Sequence, residues 1–427
     1  MATNRYRRFV LPEIIFGRDA RSLAGRYARG FDARRALLVS DPGVKAAGWT
    51  DQVGEMLRQA GLEVIEFFGV SPNPRDFEVN AGIRACLEAE CDLVVGVGGG
   101  SPLDCAKCIA ICVTNGGSVL GYGGVDKIPL PGLPLICVPT TAGTSADISQ
   151  FAIVNDSERH VKIAIVSKKA IPDAALIDPD TTSTMPSELT AATGMDALCH
   201  ATEAYVSLGA SDLTDLPALE AARLIGRWLE PAYEAARMGC RDAMEEIPHG
   251  CEAAEEARHG MMLASLLAGE AFSNASLGLV HAMAHSLGGL LDAPHGLCNA
   301  ILLDKVALAN VAFAGNGSAS NGEGEAARRA DARYARLAAA IRSGRAEAAG
   351  KEGGEARPKE GGGAEAFAEM VAELRSAIGL EKTLADLGMK RGDIPKLASF
   401  AASDPCLATN PRTMQAADIE KVYERAL

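Results

Sequence analysis

No apolar run in this chain is long enough to span a bilayer. The N-terminal stretch MATNRYRRFVLPEIIFG carries basic residues without the apolar segment of a secretory signal. The expectation is a soluble, cytoplasmic protein with no membrane partner. Positive charge is not in excess either: 42 Lys and Arg face 55 Asp and Glu, a net −13 that argues against binding nucleic acid or anionic lipid. Eleven cysteines are scattered without the spacing of a disulfide framework and read as free thiols in a reducing compartment. There is no internal repeat and no Gly-Lys-Ser/Thr phosphate loop. Histidine is scarce, with seven in all, yet three of them fall between positions 281 and 295.

What is present is enough for a large folded protein. At 427 residues the chain exceeds the usual size of a single core, and 48% hydrophobic content can fill two. In the first part, strand and helix patterns alternate. Strands are predicted at 35–41, 63–68, 92–98, 133–139 and 174–178, and helices at 43–60 and 76–90. Between them, Ser71–Pro74 holds two prolines two apart and reads as irregular. This alternation predicts a mostly parallel sheet covered on both faces. Residues 151–154 and 161–166 read as a hairpin, with His160 exposed in its turn. Near Leu189 the composition shifts to Ala- and Leu-rich helical patterns, giving expected domains at 1–189 and 190–427. Residues 314–325 and 343–364, the latter rich in Gly and Glu, lack anchoring apolar residues and are expected to be mobile surface.

Three stretches carry chemistry. The strand at 92–98 runs into Gly98, Gly99 and Gly100, then Ser101 and Pro102, which suit the first turn of a helix. The free N–H groups of such a turn would receive a phosphate or pyrophosphate, or the turn serves structure alone. The helix that follows carries Cys105, Cys108 and Cys112. With no second Cys-x-x-Cys, these read as core. The polar turn at 140–147 (TTAGTSAD) meets a cleft at the sheet edge, and Lys162 in the hairpin could reach phosphate or ribose. Asp41 follows a strand, where a carboxylate accepts hydrogen bonds from an adenosine ribose and repels a 2′-phosphate; the competing reading is a turn starter before Pro42 and Gly43.

Asp196 and His200 stand four apart, as do His281 and His285, so each pair projects from one helix face, and Gly288 and Gly289 are expected to end the second helix. Together with His295 these segments offer several imidazoles and a carboxylate to one divalent cation.

These motifs come in the order of a known family. Residues 98–107 (GGGSPLDCAK), Pro139 with 140–144 (TTAGT), 193–207 (TGMDALCHATEAYVS), 272–289 (FSNASLGLVHAMAHSLGG), 294–296 (PHG) and 404–412 (DPCLATNPR) resemble the iron-dependent (group III) alcohol dehydrogenases. The match is to the branch of short-chain primary alcohol, lactaldehyde and 1,3-propanediol dehydrogenases. The resemblance implies an α/β N-terminal nucleotide-binding domain, an all-helical C-terminal metal-binding domain, and an active site in the cleft between them. It implies metal ligands Asp196, His200, His281 and His295, with His285 as the non-ligand histidine near nicotinamide and substrate, suited to relay a proton or position the cofactor. Gly99, Gly100 and Ser101 would take the pyrophosphate, Thr140, Thr141, Thr144 and Lys162 would surround the cofactor, and Asn73 would lie near the adenosine. Asp41 then favours NAD over NADP.

The implied reaction is hydride exchange between NAD and a small alcohol or aldehyde, with Fe2+ expected and Zn2+ equally suited to the donor set. A homodimer or larger homo-oligomer is expected. Here 141–147 reads TAGTSAD where the family often has TAGTGSE, a change at the pocket edge that leaves the metal and phosphate positions intact. Two alternatives share the scaffold, a glycerol dehydrogenase and a dehydroquinate-synthase-like lyase. Few basic side chains surround the histidine cluster, which weighs against the lyase. A non-catalytic NAD- and metal-binding protein is the alternative of another class.

Overall fold

Alternating side chains on the central strands meet two separate cores. In the computed structural model, which describes residues 8–239, 251–312, 321–350 and 362–427, the strand β2 (Arg35–Val39) sends Leu37 and Val39 to one face and Ala36 and Leu38 to the other. Burial on both faces is the mark of a parallel sheet covered by helices. The other strands are β1 (Glu13–Phe16), β3 (Glu63–Phe67), β4 (Leu93–Gly98), β5 (Gly124–Val125), β6 (Leu135–Pro139), β7 (Phe151–Asp156), β8 (Val161–Val166) and β9 (Ala174–Ile177). A six-stranded parallel sheet runs β1-β9-β6-β4-β2-β3. A second sheet runs β5-β8-β7, with β7 and β8 as the expected antiparallel hairpin and Asn155 opposite Lys162.

Helices α1 (Ala24–Gly30), α2 (Pro42–Ala46), α3 (Trp49–Gln59), α4 (Asp76–Glu88) and α5 (Gly100–Asn115) belong to this half. The helix expected over 43–60 is two, broken at Gly48, whose φ of 84° puts it in the left-handed region. β1 carried no signal of its own in the sequence reading and pairs only at the sheet edge.

From Ser187 onward the described residues are helical: α6 (Ser187–Val206), α7 (Asp212–Arg237), α8 (Cys251–Ala275), α9 (Leu279–Leu291), α10 (His295–Val311), α11 (Asn321–Ala348), α12 (Gly363–Ala377), α13 (Ile394–Ala402) and α14 (Ala416–Ala426), with short 3-10 turns between them. One large core joins them, and α6 lies within it, buried along most of its length. Among the described residues no single helix is long and apolar enough to cross a membrane, and α8 and α9 meet at a bend of 99°.

Two expectations need correction. Gly288 and Gly289 do not end the histidine helix, which runs on to Leu291. A Cβ at Gly289 would stand 2.9 Å from the His160 carbonyl oxygen, and one at Gly288 would stand 2.6 Å from Lys162 Cε, so these glycines let α9 lie against the hairpin. Nor is all of 343–364 an excursion, because α11 continues to Ala348 and α12 begins at Gly363. Glu347 accepts hydrogen bonds from Arg223 and Arg227, which ties the end of α11 to α7. Positions 313–320 and 351–361 lie outside the described residues, as does His249.

Candidate active site

A cleft of about 980 Å³ opens between the sheet and the helices, within the range of small-molecule sites. Its wall includes each of the fourteen residues singled out above, from Asp41 and Asn73 to His285 and His295. The strand-to-helix turn after β4 forms one side. Gly99 is the N-cap of α5, and the helix starts at Gly100 with Ser101 and Pro102 in its first turn. The 140–144 loop lies against it: a Cβ on Gly99 would sit 3.1 Å from Thr141 Cγ2, and one on Gly100 3.1 Å from Thr144 Cγ2. Thr141 Oγ1 and Asn155 Oδ1 are buried in this wall without a protein partner. Unpaired N–H groups at a helix start, beside side-chain oxygens with no protein partner, fit a dinucleotide.

Other residues on this side are already engaged. Asp41 is the N-cap of α2 and accepts from Gly43 N (2.8 Å) and Val44 N (2.9 Å), so the turn-starter reading holds while the side chain still borders the cleft. Asn73, in the left-handed region at φ 57°, accepts from Lys162 Nζ at 2.7 Å and donates to Asp292 Oδ1 at 2.9 Å. Arg75 also reaches Asp292, at 3.2 Å, so this loop bridges the sheet half to the end of α9. Burial lowers the Lys162 pKa.

The opposite side is built by α6, α9 and α10. Asp196 and His200 lie one turn apart on α6, His281 and His285 one turn apart on α9, and His295 opens α10 behind Pro294. Asp196 Oδ1 lies 3.9 Å from His200 Nε2, 3.7 Å from His281 Nε2 and 3.8 Å from His295 Nε2. Tetrahedral bonds of about 2.1 Å set ligand atoms about 3.4 Å apart, so small shifts would close the set on a first-row divalent cation. Ligand atoms of Asp196, His281 and His295 form the tighter group, all within 4.8 Å of one another. The His200 ring stacks between Phe272 (4.2 Å) and His281 (4.6 Å).

Three of the four imidazoles are held from behind, and His295 Nδ1 has no protein partner. His200 Nδ1 donates to the Gly143 carbonyl at 3.1 Å, and His281 Nδ1 to Glu203 Oε2 at 2.7 Å, which points both Nε2 lone pairs at Asp196. Glu203 also accepts from Gly278 N (2.9 Å) and Val280 N (2.6 Å), the first N–H groups of α9. Its place seven residues after Asp196 was visible in the sequence; its partner on another helix was not. His285 Nδ1 donates to Asp404 Oδ2 at 2.9 Å. Asp404 caps the turn at Pro405–Thr409, and Cys406 is buried beside it rather than in the cleft wall. Sequence reading found the DPC motif without the pairing.

The charges follow this packing. Burial opposes ionisation of Asp196, but the facing His200, His295 and His281 outweigh it and hold the carboxyl well below its usual range. Burial pushes His200 down to about 4 and His295 far down. Burial also works against a charged His281, yet the Asp196 and Glu203 carboxylates raise it to about 9, so a cation competes there with a proton. For Asp404, burial is outweighed by His285, and the carboxyl stays low.

Residues 12–179 match the family model described as iron-containing alcohol dehydrogenase, and 190–427 match that of the C-terminal part of the Fe-containing alcohol dehydrogenase family. The chain belongs to the iron-containing alcohol dehydrogenase family. It is similar to 1,3-propanediol dehydrogenase of Citrobacter freundii, 37% identical over 98% of each chain. It is also similar to NAD-dependent methanol dehydrogenase of Bacillus methanolicus, 33% identical over 98% of this chain and 99% of the other. A crystal structure of 1,3-propanediol oxidoreductase superposes with a TM-score of 0.85 at 36% identity, covering 99% of this chain and all of that one. In this family member, the nine cysteines whose side chains are described are free and buried.

Proposed function

We propose that this protein interconverts short-chain primary alcohols and aldehydes by hydride transfer to or from NAD. Asp196, His200, His281 and His295 hold the metal, Fe2+ by family and Zn2+ by donor chemistry. The observation that carries the reading is the approach of three imidazole nitrogens to one carboxylate oxygen, 3.7 to 3.9 Å away, in the same cleft as the start of α5.

A bound divalent cation supplies Lewis acidity toward the substrate oxygen. The protein does the rest. Gly99, Gly100, Ser101 and the Thr140, Thr141 and Thr144 loop receive the pyrophosphate, while Asn73 and Lys162 border the cofactor. Asp41 favours NAD, because a 2′-phosphate would meet its carboxylate. Phe151, Phe272, Leu189 and Leu277 line the cleft and limit water near the reacting atoms. The bond to Asp404 favours the proton on His285 Nδ1, so Nε2 accepts a proton in alcohol oxidation and returns it in aldehyde reduction. A small substrate agrees with the names of the propanediol and methanol relatives. We also propose a homodimer or larger assembly, located in the cytoplasm.

The test is NADH oxidation by anaerobically purified protein against a panel of short aldehydes, with Fe(II) and Zn(II) supplied separately. Metal-dependent turnover that disappears in His281→Ala is expected. Tight NADH binding without turnover on either metal would overturn the assignment.

A further inference from the structure

Asn299 is fully buried on α10, one turn after His295 and on the same side of the helix. Its Nδ2 lies 2.6 Å from Asp196 Oδ1 and 3.2 Å from both His281 Nε2 and His295 Nε2. These are the atoms of the tight ligand group. Its Oδ1, by contrast, is buried and has no partner. Turning the amide over would set two oxygens against each other at that 2.6 Å contact, so the N–H groups must face Asp196. An apolar side chain here would avoid stranding a buried oxygen. The asparagine is therefore useful for what its donors touch.

We propose that Asn299 is a positioning residue for the metal: its amide N–H fixes the Asp196 carboxylate, while the single lone pairs of His281 and His295 Nε2 stay free for a cation. A carboxylate oxygen has more than one lone pair, so Asp196 can serve a cation and accept from Asn299 together. Glu203 and the Gly143 carbonyl orient His281 and His200 by their far nitrogens. Asn299 alone among these braces acts on the carboxylate, and its amide nitrogen sits where ligands from three helices, α6, α9 and α10, converge. The inference rests on the reading that these residues hold a metal.

The test is the affinity of the folded protein for Zn(II) and Co(II), measured by competition with a chromogenic chelator, together with the visible absorption of the Co(II) form. Asn299→Leu should weaken both metals about ten- to hundredfold and alter the cobalt band, because outer partners of metal ligands have effects of that size. NADH binding, followed by fluorescence, should persist. Asn299→Ser is too short to reach Asp196 and should act alike, which covers the case that the leucine variant does not fold. Ile301→Ala, a cavity on the opposite side of α10, should lower Tm and leave metal affinity unchanged. Asn299 variants with affinity within about twofold of the parent and the same cobalt band would overturn the proposal while leaving the metal site standing. A parent protein that binds neither metal would overturn both.

Discussion

The two walls of the cleft handle buried polar atoms in opposite ways. On the helical wall, nearly every polar atom is committed to the protein: Glu203 and Gly143 hold imidazoles, Asp404 holds His285, and Asn299 holds Asp196. His295 Nδ1 and Asn299 Oδ1 are the exceptions. On the sheet wall, Thr141 Oγ1, Asn155 Oδ1 and the start of α5 are left for a ligand. A metal site gains affinity when its ligands are oriented before the ion arrives, and a buried carboxylate requires fixed partners. A dinucleotide brings its own donors and acceptors, so its wall can leave groups open to meet them.

The largest expected effect strikes the helical wall directly. His281→Ala should cut kcat/KM at least about a thousandfold, about 4 kcal/mol of transition-state stabilisation, and release metal measurable by elemental analysis. Glu203→Gln comes next. The amide brings an N–H group against the His281 and α9 donors, so metal affinity should fall about ten- to hundredfold in chelator competition, with a lower Tm. If Glu203→Gln retained both, the helical wall would be no more preorganised than the other.

Asp404→Asn should reduce kcat about tenfold, with a changed pH profile, because an amide offers one acceptor oxygen to the two N–H groups that Asp404 serves and removes the charge facing His285. Its effect on stability has a definite sign. Because the folded carboxyl is held below its usual range, its stabilising contribution is present above the unfolded value of about 3.9 and fades as pH falls through the folded one. The Tm gap between parent and variant should therefore be full above about pH 4 and close below it. The smallest effect belongs to the sheet wall. Thr141→Val should weaken NADH by up to about tenfold in fluorescence titration, about 1.4 kcal/mol, and leave Zn(II) affinity alone. Loss of metal affinity there would mean that the two walls are coupled.

Local pattern made most strands and the histidine pairs readable, because side-chain period and four-residue spacing are properties of the chain itself. The strands at 35–39 and 93–98 are short apolar runs, and Ser101–Pro102 is a helix start wherever it occurs. The end of the histidine helix was misjudged for the converse reason. Gly288 and Gly289 look like a stop in one dimension, but they are contact points for Lys162 and Val161 on the hairpin.

The sequence by itself determined the alternation of strand and helix and the residue types able to hold a cation. Only the tertiary structure decided how those residues are braced. Glu203 meets His281 across 78 residues, Asp404 meets His285 across 119, and Asn299 meets Asp196 across 103. No periodicity encodes such pairings. They exist because packing α6, α9 and α10 into one core brings buried polar groups to partners far away in the chain.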